Sequence, residues 1–138
     1  MSEAENTKVV QDAYAAFGRG DIPALLGYFT DDIQWQPVIG TAKHVPFSGA
    51  RTGKAEVADF FKRVAETEDF EQFEPREFVA QGDKVVAIGH YTATTSAKKS
   101  FDSDFAMVFT LRNGKVVRFQ EFTDSAAVNA SYTAGATV

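Results

Sequence analysis

The chain has 138 residues, a formal net charge of −5, no Cys, and 44% hydrophobic residues, with 13 Phe among its aromatics. A domain of this size buries enough surface to fold without disulfides or a structural metal, and its acidic balance argues against a nucleic acid partner. No secretory leader pattern or bilayer-length apolar run occurs in the sequence. We therefore expect one soluble, cytoplasmic domain over residues 1–138 that binds neither nucleic acid nor membrane.

Three helices and a short strand are predicted in the first half of the chain. A capping-box pattern and apolar residues at helical spacing indicate an amphipathic helix over residues 2–18. Asp21 should cap a second, short helix that ends at residues 31–32. A strand over 33–38 and a loop should then lead to a third helix near 54–66, whose inner face is apolar.

The second half of the chain has the pattern of strands and turns. Asn113-Gly114 is a strong hairpin signal, and Asp124 or Ser125 can cap a final helix. Residues rich in β-branched and aromatic side chains predict an antiparallel meander with strands over 73–79, 85–95, 101–112 and 116–123. Helices followed by an antiparallel sheet indicate an α+β fold.

Phe is unusually frequent for a core of this size. These rings either form an ordinary core or line a cavity, because ligand pockets are mostly apolar and aromatic. Trp35, the single Trp, is open to the same two interpretations.

Glu121 is the first candidate for a chemical role. Alternation in the last strands places it on the same face as Phe119, and the matching face of the preceding strand carries Phe105, Met107 and Phe109. A carboxylate on an apolar face must be hydrogen-bonded, protonated, or at the wall of a wet pocket. Glu121 is therefore either a functional group or a satisfied structural one.

The two histidines are the other candidates. His90 lies in the predicted strand 85–95, whose pattern does not decide which face points inward, so His90 is either a catalyst or a structural residue. His44 lies in a loop, where it can close a pocket or anchor the loop. A metal site would need both histidines to converge with a carboxylate such as Glu121 or Asp104, and we expect none.

Several other chemistries lack their motifs. The sequence contains neither a dinucleotide-binding nor a nucleotide-triphosphate-binding glycine loop, and no nucleophile elbow. No cofactor is therefore expected.

Three stretches resemble the nuclear transport factor 2-like superfamily, which includes ketosteroid isomerase, and the last two are most similar to its SnoaL-like branch. The stretches are AYAAFGRGDIPALLGYFTDDIQW, FSGARTGKAEVADFF, and FVAQGDKVVAIGHY with FAMVFTLRNGKVVRFQEFTDSAAV. The resemblance implies a cone-shaped, curved antiparallel sheet packed against N-terminal helices, a cystatin-like α+β roll. It does not fix the reaction, because this fold hosts isomerases, hydrolases, polyketide cyclases, dehydratases and binding subunits.

The resemblance also implies roles for individual residues. Glu121 matches a catalytic Asp in the last strand of the cyclases and epoxide hydrolases, and His90 falls at or near another inward carboxylate position. Trp35 and Pro37 replace the Tyr and Asn that hold the attacking water in epoxide hydrolases. Pro37 also lies near the general-base Asp of ketosteroid isomerase, so neither of those two reactions is expected by the same machinery.

The combined prediction is a cofactor-independent isomerase, cyclase or lyase in which Glu121 and His90 form an acid/base pair. Its ligand would be a hydrophobic carbonyl compound in an aromatic pocket that includes Phe17, Trp35, His44, Phe105, Met107, Phe109 and Phe119. The alternative is a non-catalytic ligand-binding or dimerisation module. The enzyme requires Glu121 and His90 to converge on a cavity of roughly a few hundred Å3.

A homodimer is implied by the resemblance, because sheets of this superfamily commonly pair face to face. Phe122 would supply apolar surface to that contact, with Val108 and either Val86 or Tyr91 as neighbours.

Overall fold

The computed structural model describes residues 2–40 and 42–133, and the other parts of the predicted 1–138 domain lie outside the described residues. The helices are α1 (Glu3–Gly18), α2 (Ile22–Leu26), α3 (Lys54–Thr67) and α4 (Ser125–Ser131). The predicted capping box is confirmed, since the Ser2 hydroxyl accepts from the Glu5 N–H and the Glu5 carboxylate accepts from the Ser2 N–H. Asp21 and Asp124 cap α2 and α4 as predicted.

Six strands form one curved, unclosed sheet in the order β2-β1-β6-β5-β4-β3. The strands are β1 (Phe29–Gln36), β2 (Arg51–Thr52), β3 (Glu68–Gln81), β4 (Lys84–Thr95), β5 (Ser100–Arg112) and β6 (Lys115–Thr123). The α+β class is thus confirmed, and the predicted meander is formed by β3 to β6. The sheet is mixed, however, because β1 pairs with β6 in parallel.

Several elements differ from the prediction. Strand β1 runs over Phe29–Gln36 instead of 33–38, and the short strand β2 lies in the segment predicted as a loop. Helix α2 ends at Leu26, and Asp31 and Asp32 lie within β1 instead of ending the helix. Strand β3 begins at Glu68, directly after α3, and is longer than predicted. It contains Pro75, which an edge strand tolerates because one side of its backbone lacks a ladder partner.

The helices pack on one face of the sheet, α1 on β3 and β4 and α3 on β1. On β5 the odd residues from Phe101 to Leu111 are buried, as alternation predicts. On β6 Phe119 and Glu121 also face inward, whereas Val117 does not and Val116 takes its place. The register shift at the start of β6 explains this one-residue change.

None of the described helices is long and apolar enough to cross a bilayer.

Candidate functional site

A cavity of about 80 Å3 lies between the helices and the inner face of the sheet. Most of its lining is Phe, Val, Leu and Ala, and the groups that can form hydrogen bonds belong to Tyr14, Trp35, Glu68, Tyr91 and Glu121. The free volume is smaller than the roughly few hundred Å3 expected of an enzyme pocket. A substrate larger than a few heavy atoms therefore requires the aromatic side chains to move.

Glu121 lies on β6 with its side chain at the cavity wall, and the residue is only 8% exposed. Its Oε2 accepts a hydrogen bond of 2.7 Å from the Tyr91 hydroxyl. Burial raises the pKa of Glu121 to about 7, and the Tyr91 hydrogen bond opposes that rise because it stabilises the charged form. At neutral pH this carboxyl can both accept and release a proton.

Tyr91 is the hydrogen-bond partner of Glu121, and the sequence pattern did not indicate it. Its side chain is on the inner face of β4 and is almost fully buried, so it is not a neighbour of Phe122 on the outer face as one alternative held. Burial, followed by the nearby charge of Glu121, raises the pKa of Tyr91. Tyr91 therefore stays protonated and acts as a hydrogen-bond donor.

Glu68 is a second buried carboxyl at this cavity, and it was also missed. It is the first residue of β3, where α3 ends, and it is 9% exposed. Burial and, secondarily, the negative charge of Glu121 raise the pKa of Glu68 to about 8, while hydrogen bonding with Tyr132 opposes this. Glu68 is therefore mainly protonated at neutral pH, when Glu121 is partly ionised.

His90 does not form the predicted pair with Glu121. It lies on the outer face of β4, because Tyr91 points inward and successive side chains alternate. Its Nδ1 lies 2.8 Å from an Asp104 oxygen, and its Nε2 contacts Asp102. These two carboxylates raise the pKa of His90, with Asp104 the larger influence. The inward position expected for His90 is therefore wrong.

His44 is exposed on its loop and is not part of the cavity lining. Its backbone N–H donates to the Asn129 side-chain oxygen at 2.7 Å, which ties the loop to α4. The loop-anchor interpretation therefore fits His44 better than the pocket-closing one.

Five of the predicted ligand-binding residues line the cavity: Phe17, Trp35, Met107, Phe109 and Phe119. Trp35 and Phe119 are stacked, with ring centroids 3.8 Å apart. Phe105 is buried but is not part of the lining, since it packs against Phe73 and Tyr91. The Phe-rich composition thus serves both core and cavity.

Within residues 2–40 and 42–133, no group of three or more His, Asp or Glu side chains has an arrangement that could hold a metal ion.

The SnoaL-like domain family matches residues 10–119. An NTF2-like protein from Burkholderia xenovorans LB400 is 33% identical over 96% of this chain and 99% of its own, with a TM-score of 0.86. TerC, co-crystallised with polyporic acid, is 28% identical over 93% of this chain and 98% of its own, with a TM-score of 0.79. A candidate polyketide cyclase from Xanthomonas campestris pv. campestris, 19% identical over 95% and 98% of the two chains with a TM-score of 0.74, shares the fold. None of the curated proteins matches this chain.

Proposed function

Because this chain belongs to the SnoaL-like domain family, we propose that it catalyses a cofactor-independent isomerisation, ring closure or elimination on an uncharged, hydrophobic carbonyl compound. The observation that carries the proposal is the Glu121 carboxyl. It is buried at the wall of an apolar cavity, has a pKa raised to about 7, and is held by Tyr91. A group with a pKa near the working pH is well suited to general acid–base catalysis.

The chemistry begins with removal of a proton from the carbon next to the carbonyl group. The Glu121 carboxylate takes this proton, the C–H electron pair forms a carbon–carbon double bond, and the carbonyl oxygen takes a proton from Glu68 to give an enol. Where the substrate also has a β,γ carbon–carbon double bond, the enol is a dienol; its γ-carbon takes the proton from Glu121, Glu68 recovers its proton from the enol oxygen, and the double bond moves into conjugation with the carbonyl. In a ring closure the enol carbon instead attacks a second carbonyl carbon, whose oxygen takes the proton from Glu121 while Glu68 recovers its own from the enol oxygen.

Tyr91 acts in this scheme as a positioning residue. Its hydroxyl fixes one oxygen of Glu121 at 2.7 Å and lowers the pKa that burial raises. The other carboxylate oxygen is then the one that faces the substrate.

Hydrogen exchange at carbon tests the proposal without knowledge of the natural substrate. Cyclopentanone in D2O is incubated with the protein, and loss of the α-proton NMR signal is compared with the protein-free rate. We expect catalysed exchange that Glu121→Gln reduces by at least about 100-fold, whereas Glu66→Gln, a change at an exposed glutamate on α3, leaves it unchanged. Equal exchange in the two variants would contradict the role of Glu121.

A non-catalytic ligand-binding module is the second candidate. The observation in its favour is the small free volume of about 80 Å3, which leaves little room for a substrate to reorient during a reaction. This candidate predicts ligand binding without α-proton exchange, and with the same affinity in wild type and Glu121→Gln.

We also propose a homodimer through the outer face of the sheet. Ile88, Ala106 and Phe122 lie in one row across β4, β5 and β6, and Ile88 and Phe122 are 38% and 42% exposed. Sedimentation equilibrium should show a dimer that Phe122→Asp dissociates, whereas Gln11→Asp on the exposed side of α1 does not. A monomeric wild type at micromolar concentration contradicts the proposal.

A further inference from the structure

The indole N–H of Trp35 is a buried donor at the cavity. Trp35 is 5% exposed and lines the cavity. No acceptor from the described residues lies within hydrogen-bond distance of its Nε1. A buried donor without a partner is costly, so its retention at a cavity wall points to an acceptor on a bound molecule.

The other polar groups of the cavity already have partners. Tyr91 donates to Glu121, the Tyr14 hydroxyl donates to the Met107 sulfur at 2.9 Å, and Glu68 interacts with Tyr132. Among the Trp and Tyr side chains of the lining, the Trp35 indole is therefore the donor for which the described residues supply no acceptor.

Trp35 is also close to the carboxyl that performs the proposed chemistry. In the β1–β6 pairing it lies opposite Phe119, and Glu121 is two residues further along the same face of β6. A strand spacing of about 4.8 Å and a rise of about 3.3 Å per residue place the two Cβ atoms about 8 Å apart. A small molecule that accepts from the indole can thus present a neighbouring carbon to Glu121.

The charge of the lining restricts the acceptor. Among residues 2–40 and 42–133, two glutamates line the cavity, and no Lys, Arg or His does. A carboxylate or phosphate in this site would meet negative charge without a counter-charge, in an environment where burial of an ion is expensive. The acceptor must therefore be neutral.

We propose that Trp35 donates its indole N–H to the carbonyl oxygen of an uncharged, compact cyclic ketone whose α-carbon faces Glu121. This inference rests on the proposed function for its identification of Glu121 as the base. It makes Trp35 a binding residue that selects ketones over hydrocarbons of the same shape and over anions.

The single Trp makes the test direct, because protein labelled with 15N-Trp gives one indole NMR signal. Cyclopentanone and methylenecyclopentane have nearly the same shape, but only the ketone offers an oxygen acceptor. Titration with the ketone should move the indole proton signal downfield and saturate. Methylenecyclopentane should bind about fivefold more weakly without that downfield shift, as expected for the loss of one hydrogen bond.

Two variants complete the design. Trp35→Phe, monitored for folding by circular dichroism, should bind the two probes equally, and cyclopentanecarboxylate should not bind to the wild type. The inference is overturned if neither neutral probe binds, if both give the same indole shift, or if the ketone binds without shifting the signal. The wild type and Glu121→Gln together separate the two proposals. If the ketone shifts the indole signal in both proteins but the wild type catalyses no α-proton exchange, the catalytic function is refuted and the Trp35 contact is established.

Discussion

Tyr91 and Glu121 are joined across an intervening strand. Tyr91 is on β4, Glu121 is on β6, and the hydroxyl reaches past β5 to donate to Oε2 at 2.7 Å. The bond therefore couples the two strands through their side chains in addition to the backbone ladders, and it is the contact through which the protein adjusts the basicity of Glu121.

Tyr91→Phe should make Glu121 harder to ionise. Removal of the hydroxyl removes a hydrogen bond to the charged form, so we expect the pKa of Glu121 to rise by about one unit from its value of about 7. A 13C NMR titration of the Glu carboxyl signals measures this directly. Tyr14→Phe is the matched control, because the Tyr14 hydroxyl donates to Met107 instead of Glu121, and an equal shift in both variants would contradict the assignment.

Stability should fall as pH rises from about 5 to about 8. The native pKa values of Glu121 and Glu68 are raised to about 7 and about 8 from 4.5, so the native state binds more protons than the unfolded state in this range. Glu121 alone should account for a loss of about 3 kcal/mol in the free energy of unfolding. Urea denaturation at several pH values should show a shallower decline for Glu121→Gln, while Glu66→Gln retains the wild-type dependence.

The His90 titration should depend on the outer face alone. Asp104 and Asp102 raise its pKa above 6.5, so the stability from this contact is present at low pH and is lost as pH rises through the native pKa. NMR should show that Asp104→Asn lowers the pKa of His90 and that Glu121→Gln leaves it unchanged. A change in the pKa of His90 in Glu121→Gln would contradict this and would support a pair of His90 with Glu121.

Gly89→Ala should destabilise the fold by about 3 kcal/mol or more. A Cβ at Gly89 would lie 2.1 Å from the Glu74 carbonyl oxygen and 2.6 Å from the Phe105 ring, so both backbone and core must move. Gly18 at the end of α1 is the matched control, since a Cβ there has no heavy atom within 4 Å. Thermal unfolding compares the two Gly→Ala variants, and similar melting temperatures would contradict the steric argument.

Local rules predicted much of the fold and part of the site. The helix caps, the Asn113-Gly114 hairpin, and the inward position of Glu121 each depend on residues close in sequence or on strand alternation. The parallel pairing of β1 with β6 has no such local signal, because it joins segments from opposite ends of the chain.

The errors at the site have specific physical causes. Strand β4 has apolar residues on both faces, Val85 and Ala87 inside and Val86 and Ile88 outside, so its pattern could not show that Tyr91 faces the cavity. Glu68 lies at the junction of α3 and β3, where neither helical nor strand periodicity indicates a direction. The resemblance to the nuclear transport factor 2-like superfamily did not correct these errors, because it implied an inward position for His90.

The parallel pairing of β1 with β6 also constrains how the protein matures on the ribosome. Strand β1 ends at residue 36, but the strand that pairs with its other edge begins only at Lys115. Until that segment emerges, the nascent chain lacks Glu121, and Trp35 has no Phe119 to stack against. Non-local pairings of this kind form late and slowly. Phe119 and Glu121 therefore join the cavity wall only after α1, α3 and strands β1 to β5 have been synthesised.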